Sequence, residues 1–210
     1  ANQMLDELCR LYPDANCELV YDSTFQFLIS VIMSAQTTDT QVNKVTPELF
    51  ARYPEAGDLA EAPLAEIKAI IRPTGYFNAK ATNITNCARA LLERFDGQVP
   101  RTLEELTSLP GVGRKTANVV LGVAFSVPGW TVDTHVQRLS KRLGLSQNTD
   151  PHKIEKDLQK LFPKKRLDQT FNHYDLAWSQ ALLCPQARLW PMPDKSTLSR
   201  LSALASKDEQ

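Results

Sequence analysis

The amine of Lys115 is the side-chain group of this sequence with the clearest potential for covalent chemistry. Lys115 follows a segment rich in glycine, which reads Leu109-Pro110-Gly111-Val112-Gly113-Arg114. A neutral lysine amine can attack a sugar carbon and form a Schiff base. A solvated lysine that only touches phosphate fits the same pattern, and the residues on their own leave both interpretations open.

The segment before Lys115 has the features of a phosphate-binding hairpin between two helices, although an ordinary corner between helices is the alternative. Its two glycines allow backbone angles closed to other residues and let a second backbone approach closely. The helix that follows presents N–H groups with a partial positive charge, and main-chain contacts of this kind hold a DNA strand without reading its sequence. We therefore predict that DNA is bound by Leu109, Gly111, Val112, Gly113 and Arg114.

A carboxylate occurs 18 residues beyond Lys115, in the motif Val132-Asp133-Thr134-His135. Asp133 stands just before a predicted helix, where an aspartate commonly caps the first turn. It could also face Lys115 across the helical junction and stabilise a cationic sugar or help to deprotonate the amine. Capping and catalysis are compatible. We expect His135 to support this loop or to contact phosphate.

The elements that must position these residues are helices. Apolar residues recur at helical spacing, as in the face formed by Phe25, Leu28, Ile29, Ile32 and Met33. The pattern predicts helices near residues 25–33, 42–50 (with a kink or restart at Pro47), 63–71, 79–95, 102–106, 114–125, 133–143, 151–162, 167–183 and 198–204. Because no convincing run of alternating strand residues is present, the predicted fold class is all-α.

Proline and glycine cluster at residues 126–131, which makes this segment the best internal boundary. We predict two lobes, the first formed by residues 21–131 and the second by residues 132–210. Residues 1–20 can join either lobe on pattern alone, and we assign them to the second.

The composition limits the class of protein. The 210 residues are 42% hydrophobic, and 24 basic residues balance 24 acidic ones, so that DNA affinity must come from local patches. The four cysteines are scattered without the spacing of metal ligands. No apolar run approaches the about 18 residues of a membrane span, and the N-terminus does not read as a secretory signal. We therefore predict a cytoplasmic protein without a membrane segment or a bound metal.

The motifs together resemble one family. The stretch LPGVGRKTANVVL, followed by VDTHVQRLSKR, is similar to the endonuclease III family of helix-hairpin-helix DNA glycosylases, as is Ser34-Ala35-Gln36-Thr37-Thr38-Asp39. The resemblance extends from about Leu5 to Cys184. It implies a two-lobed fold with a DNA cleft between a six-helix barrel-type lobe and a second helical lobe.

The resemblance also implies an activity and roles for several residues. Members of the family excise oxidised pyrimidines and then nick the abasic strand by β-elimination, with Lys115 matching the nucleophile and Asp133 the catalytic carboxylate. An enzyme of this kind must flip the target base out of the duplex. Gln36 matches the residue that enters the vacated space, and Asp39 matches a family position in the same loop. Tyr76 fits the wedge that stacks opposite the lesion.

The sequence departs from the family at one point. Many members hold a four-iron, four-sulfur cluster through a Cys-x6-Cys-x2-Cys-x5-Cys motif. Cys184 matches the first ligand, but Pro191, Asp194 and Arg200 stand where the other three would fall. Because one thiolate cannot hold such a cluster, we predict that the protein has no iron–sulfur cofactor.

The resemblance predicts a monomeric enzyme that acts on double-stranded DNA with damaged bases or abasic sites. Two alternatives remain. One is a monofunctional adenine or mismatch DNA glycosylase, which would use the aspartate but generally lack a lysine at the position of Lys115. The other is a non-catalytic helix-hairpin-helix DNA-binding protein, against which the presence of both Lys115 and Asp133 argues.

Overall fold

A computed structural model describes residues 18–127, 132 and 134–161 of the chain. Within these residues every regular element is a helix, which confirms the prediction of an all-α fold class. The chain divides into two compact units: residues 18–125 form the first, and residues 126–161 belong to the second. None of the helices described is both long enough and apolar enough to cross a membrane.

The division after Phe125 falls at the start of the segment rich in proline and glycine. The predicted lobes, 21–131 and 1–20 with 132–210, and the cleft between them stay predictions. The predicted helices at 167–183 and 198–204 lie outside the described residues.

Most helices lie where the apolar spacing predicts them. The first unit contains α1 (Thr24–Met33), α2 (Asp39–Arg52), α3 (Ala56–Glu61), α4 (Leu64–Ile71), α5 (Phe77–Phe95), α6 (Leu103–Thr107) and α7 (Arg114–Phe125), with a 3-10 turn at Arg72–Thr74. The described part of the second unit contains α8 (Thr134–Arg142) and α9 (Pro151–Leu161).

α1 organises the first unit. It begins at the cap Ser23, whose Oγ accepts a hydrogen bond from the Gln26 N–H at 3.2 Å. Every residue from Phe25 to Met33 is buried, as expected for a helix that is apolar on most sides. α1 contacts α2, α5 and α7. It therefore fixes the three helices whose N-terminal ends carry or adjoin the candidate site residues.

The core around α1 is made of large apolar side chains from most helices of the first unit. The largest that are fully buried are Phe27, Leu28, Ile29, Met33, Leu49, Leu59, Ile67, Ile71, Ile84, Leu91 and Leu106. Each such side chain contributes about 1.5–3 kcal/mol when it is removed from water, so this core can hold the exposed loops at its surface in place.

Two features of the first unit differ from the sequence prediction. α2 does not end and restart at Pro47 but continues through it to Arg52, because Val45 and Leu49 on either side of the proline are buried in the core. α3 was not predicted. Its start is held by a hydrogen bond from the Glu55 N–H to Asp58 Oδ2 at 3.2 Å, and it packs on α5. A helix this short has too few positions to show helical periodicity, so tertiary contacts decide it.

Two aspartates stabilise the described part of the second unit by accepting hydrogen bonds. Asp150 caps α9, as predicted, by accepting a hydrogen bond from the Lys153 N–H at 3.0 Å. Asp157 accepts hydrogen bonds from Ser146 Oγ at 2.7 Å and Asn148 Nδ2 at 2.6 Å. These two bonds lower the pKa of Asp157, because they stabilise its charged form.

Candidate active site

The predicted hairpin begins with a tight turn. The Val112 N–H donates a hydrogen bond to the Leu109 carbonyl at 3.1 Å, and Gly111 has a φ of 77°. Proline followed by a glycine with positive φ is typical of a type II turn. A Cβ added at Gly111 would lie 2.8 Å from Cβ of Asn83 on α5. Only glycine therefore fits, both for its backbone angles and for the close approach of α5.

The two apolar side chains of the hairpin are buried, whereas Gly113 at its end is exposed. Leu109 and Val112 are 3% and 5% exposed, so any contact that they make with DNA must come from the backbone. Arg94 on α5 holds the preceding turn through a 2.7 Å hydrogen bond from its guanidinium to Ser108 Oγ. Gly113 is exposed, and a Cβ built on it would have no atom within 4 Å. The backbone at Gly113 is therefore open to a large ligand group.

α7 begins directly after the hairpin. Its first helical hydrogen bond runs from the Ala117 N–H to the Gly113 carbonyl at 2.9 Å. Arg114 and Lys115 occupy the first turn, and both are exposed. The positive end of the helix dipole and two cationic side chains thus coincide at one exposed point, which is suited to a phosphate. This agrees with the geometry expected from the sequence.

Asp39, the first residue of α2, lies close enough to Lys115 for the two charges to interact. Burial raises the pKa of the Asp39 carboxyl, and the negative charge of Glu18 raises it further. The positive charge of Lys115 acts in the opposite direction. The sequence placed Asp39 in the loop that contains Gln36 but gave no sign that its charge interacts with that of Lys115, 76 positions later in the chain. The structure therefore supplies a carboxylate within electrostatic reach of the candidate nucleophile.

Replacing Lys115 by alanine is expected to raise the pKa of Asp39 further above its ordinary value. The reason is that a nearby cation stabilises the carboxylate, and the variant lacks it. An NMR titration that follows the carboxyl carbon of Asp39 measures this directly. Lys44→Ala is the matched control, since it removes an exposed lysine of α2 that is not among the charges acting on Asp39. An equal Asp39 pKa in wild type and Lys115→Ala would contradict this electrostatic interaction.

Gln36 and Tyr76 lie on two exposed loops of the first unit. Gln36 follows α1, is exposed and has a φ of 55°. Tyr76 precedes α5, is 71% exposed and has a φ of 48°. A left-handed backbone is uncommon for residues other than glycine. Both candidates for insertion into DNA are therefore accessible and held in an unusual conformation.

The remaining site candidates belong to the second unit. Asp133 lies outside the described residues, so its predicted pairing with Lys115 stays a prediction. His135 belongs to the first turn of α8, and its side chain is not described. The same helix carries Arg138, Lys141 and Arg142, which are exposed and supply local positive charge.

Among residues 18–127, 132 and 134–161, no three His, Cys, Asp or Glu side chains are grouped as a metal site requires. Cys87 is the free cysteine of this region. It is buried, and burial raises the pKa of its thiol to about 12. A thiol that stays protonated cannot act as a nucleophile at neutral pH. The amine of Lys115 therefore remains the candidate nucleophile.

Comparison with known proteins identifies the family. Residues 29–164, more than half of the chain, match the model described as HhH-GPD superfamily base excision DNA repair protein. The chain belongs to this superfamily. It is 54% identical to endonuclease III of Synechocystis sp. over 165 residues, which cover 78% of this chain and 75% of the relative. The resemblance to the endonuclease III family is thus confirmed.

Two solved structures of endonuclease III have the same fold as this member of the superfamily. One, a non-covalent complex with DNA, has a TM-score of 0.78 and 40% identity and covers 99% of this chain and 96% of the other. The second is a trapped covalent intermediate with DNA in an estranged-adenine complex. It has a TM-score of 0.76 and 45% identity, covering 85% and 83%. This endonuclease III homologue is therefore a base excision repair enzyme of the DNA glycosylase/AP lyase type.

Proposed function

We propose that this enzyme binds double-stranded DNA, excises oxidised pyrimidines of the thymine glycol type and nicks the resulting abasic site through a Schiff base on Lys115. The observation that carries the proposal is the exposed position of Lys115 on the first turn of α7, directly after the glycine-rich hairpin and within electrostatic reach of the carboxylate of Asp39. Relatives with this fold have been solved as DNA complexes, one of them a covalent intermediate.

The hairpin positions the DNA strand for the reaction by binding a phosphate. The open main chain at Gly113 and the exposed side chain of Arg114 lie immediately before Lys115 in the chain. A phosphate bound there would bring the sugar of an adjoining nucleotide within reach of the amine. Such positioning accounts for a large part of catalysis, because it replaces a collision between two molecules by a reaction within one complex.

The chemistry then follows from the amine. Lys115 Nζ attacks C1′ of the damaged nucleotide, and the bond from C1′ to the base breaks with its electron pair leaving on the base, which takes up a proton. The ring bond from C1′ to O4′ opens and leaves a C1′=N iminium and a 4′-hydroxyl. A base then removes a proton from C2′, and the C3′–O3′ bond breaks to release the phosphate strand. Water finally hydrolyses the C=N bond and restores the amine.

We assign the proton transfers in this scheme to two carboxylates, those of Asp39 and Asp133. Asp39 has a pKa above its ordinary value, and such a carboxyl is better able to exchange protons near neutral pH than an unperturbed one. Asp133 would stabilise the cationic sugar and assist deprotonation of the amine, as the family resemblance implies.

Borohydride trapping tests the function. The wild-type protein is incubated with a duplex that contains thymine glycol, and with a duplex that contains an abasic site, in the presence of borohydride. We expect base release from the first duplex and a reduced protein–DNA adduct with both. Base release without an adduct would establish a monofunctional glycosylase instead. DNA binding without either product would establish a non-catalytic DNA-binding protein.

The cofactor expected from many relatives does not fit this chain. Three of the four positions that would hold an iron–sulfur cluster are Pro191, Asp194 and Arg200, and none of these supplies a thiolate. We propose that the enzyme is active without a cluster. Iron and acid-labile sulfide, measured on freshly purified protein and again after anaerobic reconstitution, should stay far below one cluster per chain. A stoichiometric content of both elements in active protein would contradict this.

We also propose that the enzyme works as a monomer in the cytoplasm. Sedimentation velocity at several protein concentrations, with and without a short duplex, tests the first part. A sedimentation coefficient that stays constant with concentration and that rises on DNA addition only by the mass of one duplex is the expected result. A fractionation of the source cells, followed by detection of the protein, tests the second part.

A further inference from the structure

Lys80 on α5 is a buried lysine that none of the steps above uses. It is 5% exposed, and lysine is almost never buried to this extent without a partner of opposite charge. No carboxylate of the described residues pairs with it. Its Nζ instead donates hydrogen bonds to Thr37 Oγ1 at 2.5 Å and to the Thr74 carbonyl at 2.8 Å. Burial accordingly lowers the pKa of Lys80.

The two partners of Lys80 belong to different loops. Thr37 lies between α1 and α2, in the loop that carries Gln36, whereas Thr74 lies in the 3-10 turn before Tyr76. The Thr37 hydroxyl, which accepts from Lys80, itself donates to the Thr74 carbonyl. A carbonyl oxygen has two lone pairs, so it can accept from both side chains at once. Lys80, Thr37 and Thr74 thus form a closed triangle of hydrogen bonds that connects the two loops.

The triangle lies very close to the two side chains predicted to enter DNA. Gln36 adjoins Thr37, and Tyr76 is two residues beyond Thr74. Tyr76 is fixed to the start of α5 by the first hydrogen bond of that helix, in which the Lys80 N–H donates to the Tyr76 carbonyl at 3.1 Å. Left-handed backbone at residues other than glycine costs about 1–3 kcal/mol and persists only where the surroundings enforce it. Lys80 contacts both of the loops concerned, through Thr37 and Thr74.

We propose that Lys80 is a positioning residue that joins the Gln36 loop and the Tyr76 loop into one rigid unit, so that both side chains enter the duplex together at a flipped base. The proposal rests on the proposed function, since it concerns how the lesion is extruded. A pair of loops fixed before binding loses less conformational entropy on insertion than two independent loops. Lys80 itself does not touch the reacting atoms in this account.

Two variants remove the link from opposite ends. Lys80→Met keeps a long apolar side chain and the main-chain hydrogen bond but removes the ammonium. Thr37→Val keeps the shape of the side chain but removes the hydroxyl, and it tests the same triangle if Lys80→Met folds poorly. Lys44→Met, at an exposed lysine of α2, is the matched control. A double-mutant cycle compares the effect of the double variant with the sum of the two single effects. Because Lys80 and Thr37 belong to one hydrogen-bond network, the effects should not add.

The assay compares two substrates that differ in their need for insertion. Excision from a paired duplex requires both loops to enter the helix, whereas adduct formation with a single-stranded abasic site requires no base to be extruded. We expect Lys80→Met and Thr37→Val to slow excision from the duplex by about 10–100-fold, the range that follows from a misplacement of about 1 Å. Adduct formation on the single strand should stay within a few-fold of wild type.

A fluorescent readout separates insertion from catalysis. With 2-aminopurine opposite the lesion, stacking of Tyr76 quenches its emission. We expect Lys80→Met to lose most of this quenching, as Tyr76→Ala does, while Lys44→Met retains it. Equal losses on both substrates would overturn the proposal in favour of a purely structural role, and so would an unchanged duplex rate. Failure of the proposed function is recognised separately, because wild type itself would then give neither base release nor adduct.

Discussion

Lys115→Ala is expected to abolish the borohydride-trapped adduct on every substrate. Alanine has no amine, so no Schiff base can form at this position. Excision of thymine glycol should fall by about 10⁴-fold or more, the scale seen when an enzyme loses its nucleophile. The measurement is single-turnover base release, followed by gel analysis of the adduct and of the nicked strand. The rate of base release that remains in Lys115→Ala measures the catalysis that DNA binding and the carboxylates provide without the amine.

The neighbouring Arg114 provides the control for this experiment. Arg114→Ala removes the other exposed cation from the first turn of α7 but leaves the amine in place. The Arg114→Ala variant should still form the borohydride-trapped adduct. Its DNA binding should weaken equally for all sequences, and the slope of log affinity against log salt concentration should fall by about one. Lys115→Gln, which keeps the length of the side chain, should bind an abasic duplex without trapping it. A full-strength adduct in either Lys115 variant would show that another amine is the nucleophile.

Gly111→Ala is expected to destabilise the protein and to weaken DNA binding at the same time. The backbone at Gly111 has a φ of 77°, and a Cβ there would lie 2.8 Å from Cβ of Asn83, which is fixed to α5 and cannot move aside as a flexible side-chain end could. The strained backbone alone costs about 1–3 kcal/mol. Urea unfolding measures the loss of stability. Binding to an abasic duplex at fixed salt measures the displacement of the hairpin.

Gly113→Ala is the matched control, two residues away in the same hairpin. Gly113 does not have a positive φ, and an added Cβ meets no atom within 4 Å. The free energy of unfolding should therefore change by no more than about 0.5 kcal/mol, as for an ordinary surface substitution. DNA binding should still weaken, because the methyl group occupies the space through which a phosphate approaches. If Gly111→Ala proved as stable as Gly113→Ala, the tight packing of the turn on α5 would be wrong.

Sequence patterns predict those parts of the fold that depend on neighbours in the chain. The apolar spacing of residues 25–33 predicts α1, and the cap at Thr102 with Glu105 predicts α6, where Thr102 Oγ1 accepts from the Glu105 N–H at 3.3 Å. α3 could not be predicted in this way. It is short, and its stability depends on packing against α5, which is distant in the chain.

The same distinction holds for the candidate site. The hairpin and Lys115 could be recognised from the sequence, because the turn, the start of α7 and the two cations lie within seven consecutive residues, 109–115. Their geometry is set by the glycines, the proline and the helix start, and these effects act over three or four residues. One of the motifs that carry the family resemblance lies in this stretch, and the comparisons confirm the family.

Only the tertiary structure decided which distant residues meet. The approach of Asp39 to Lys115 and the contacts of Lys80 with Thr37 and Thr74 depend on α1, which packs against α2, α5 and α7 and so brings their N-terminal ends into place. The spacing of residues along the chain does not predict such contacts, because they join residues far apart in the sequence that meet only when α1 packs against three other helices. The sequence thus determined the helical class, the hairpin and the position of Lys115 at the start of α7, whereas packing determined the surroundings in which they lie.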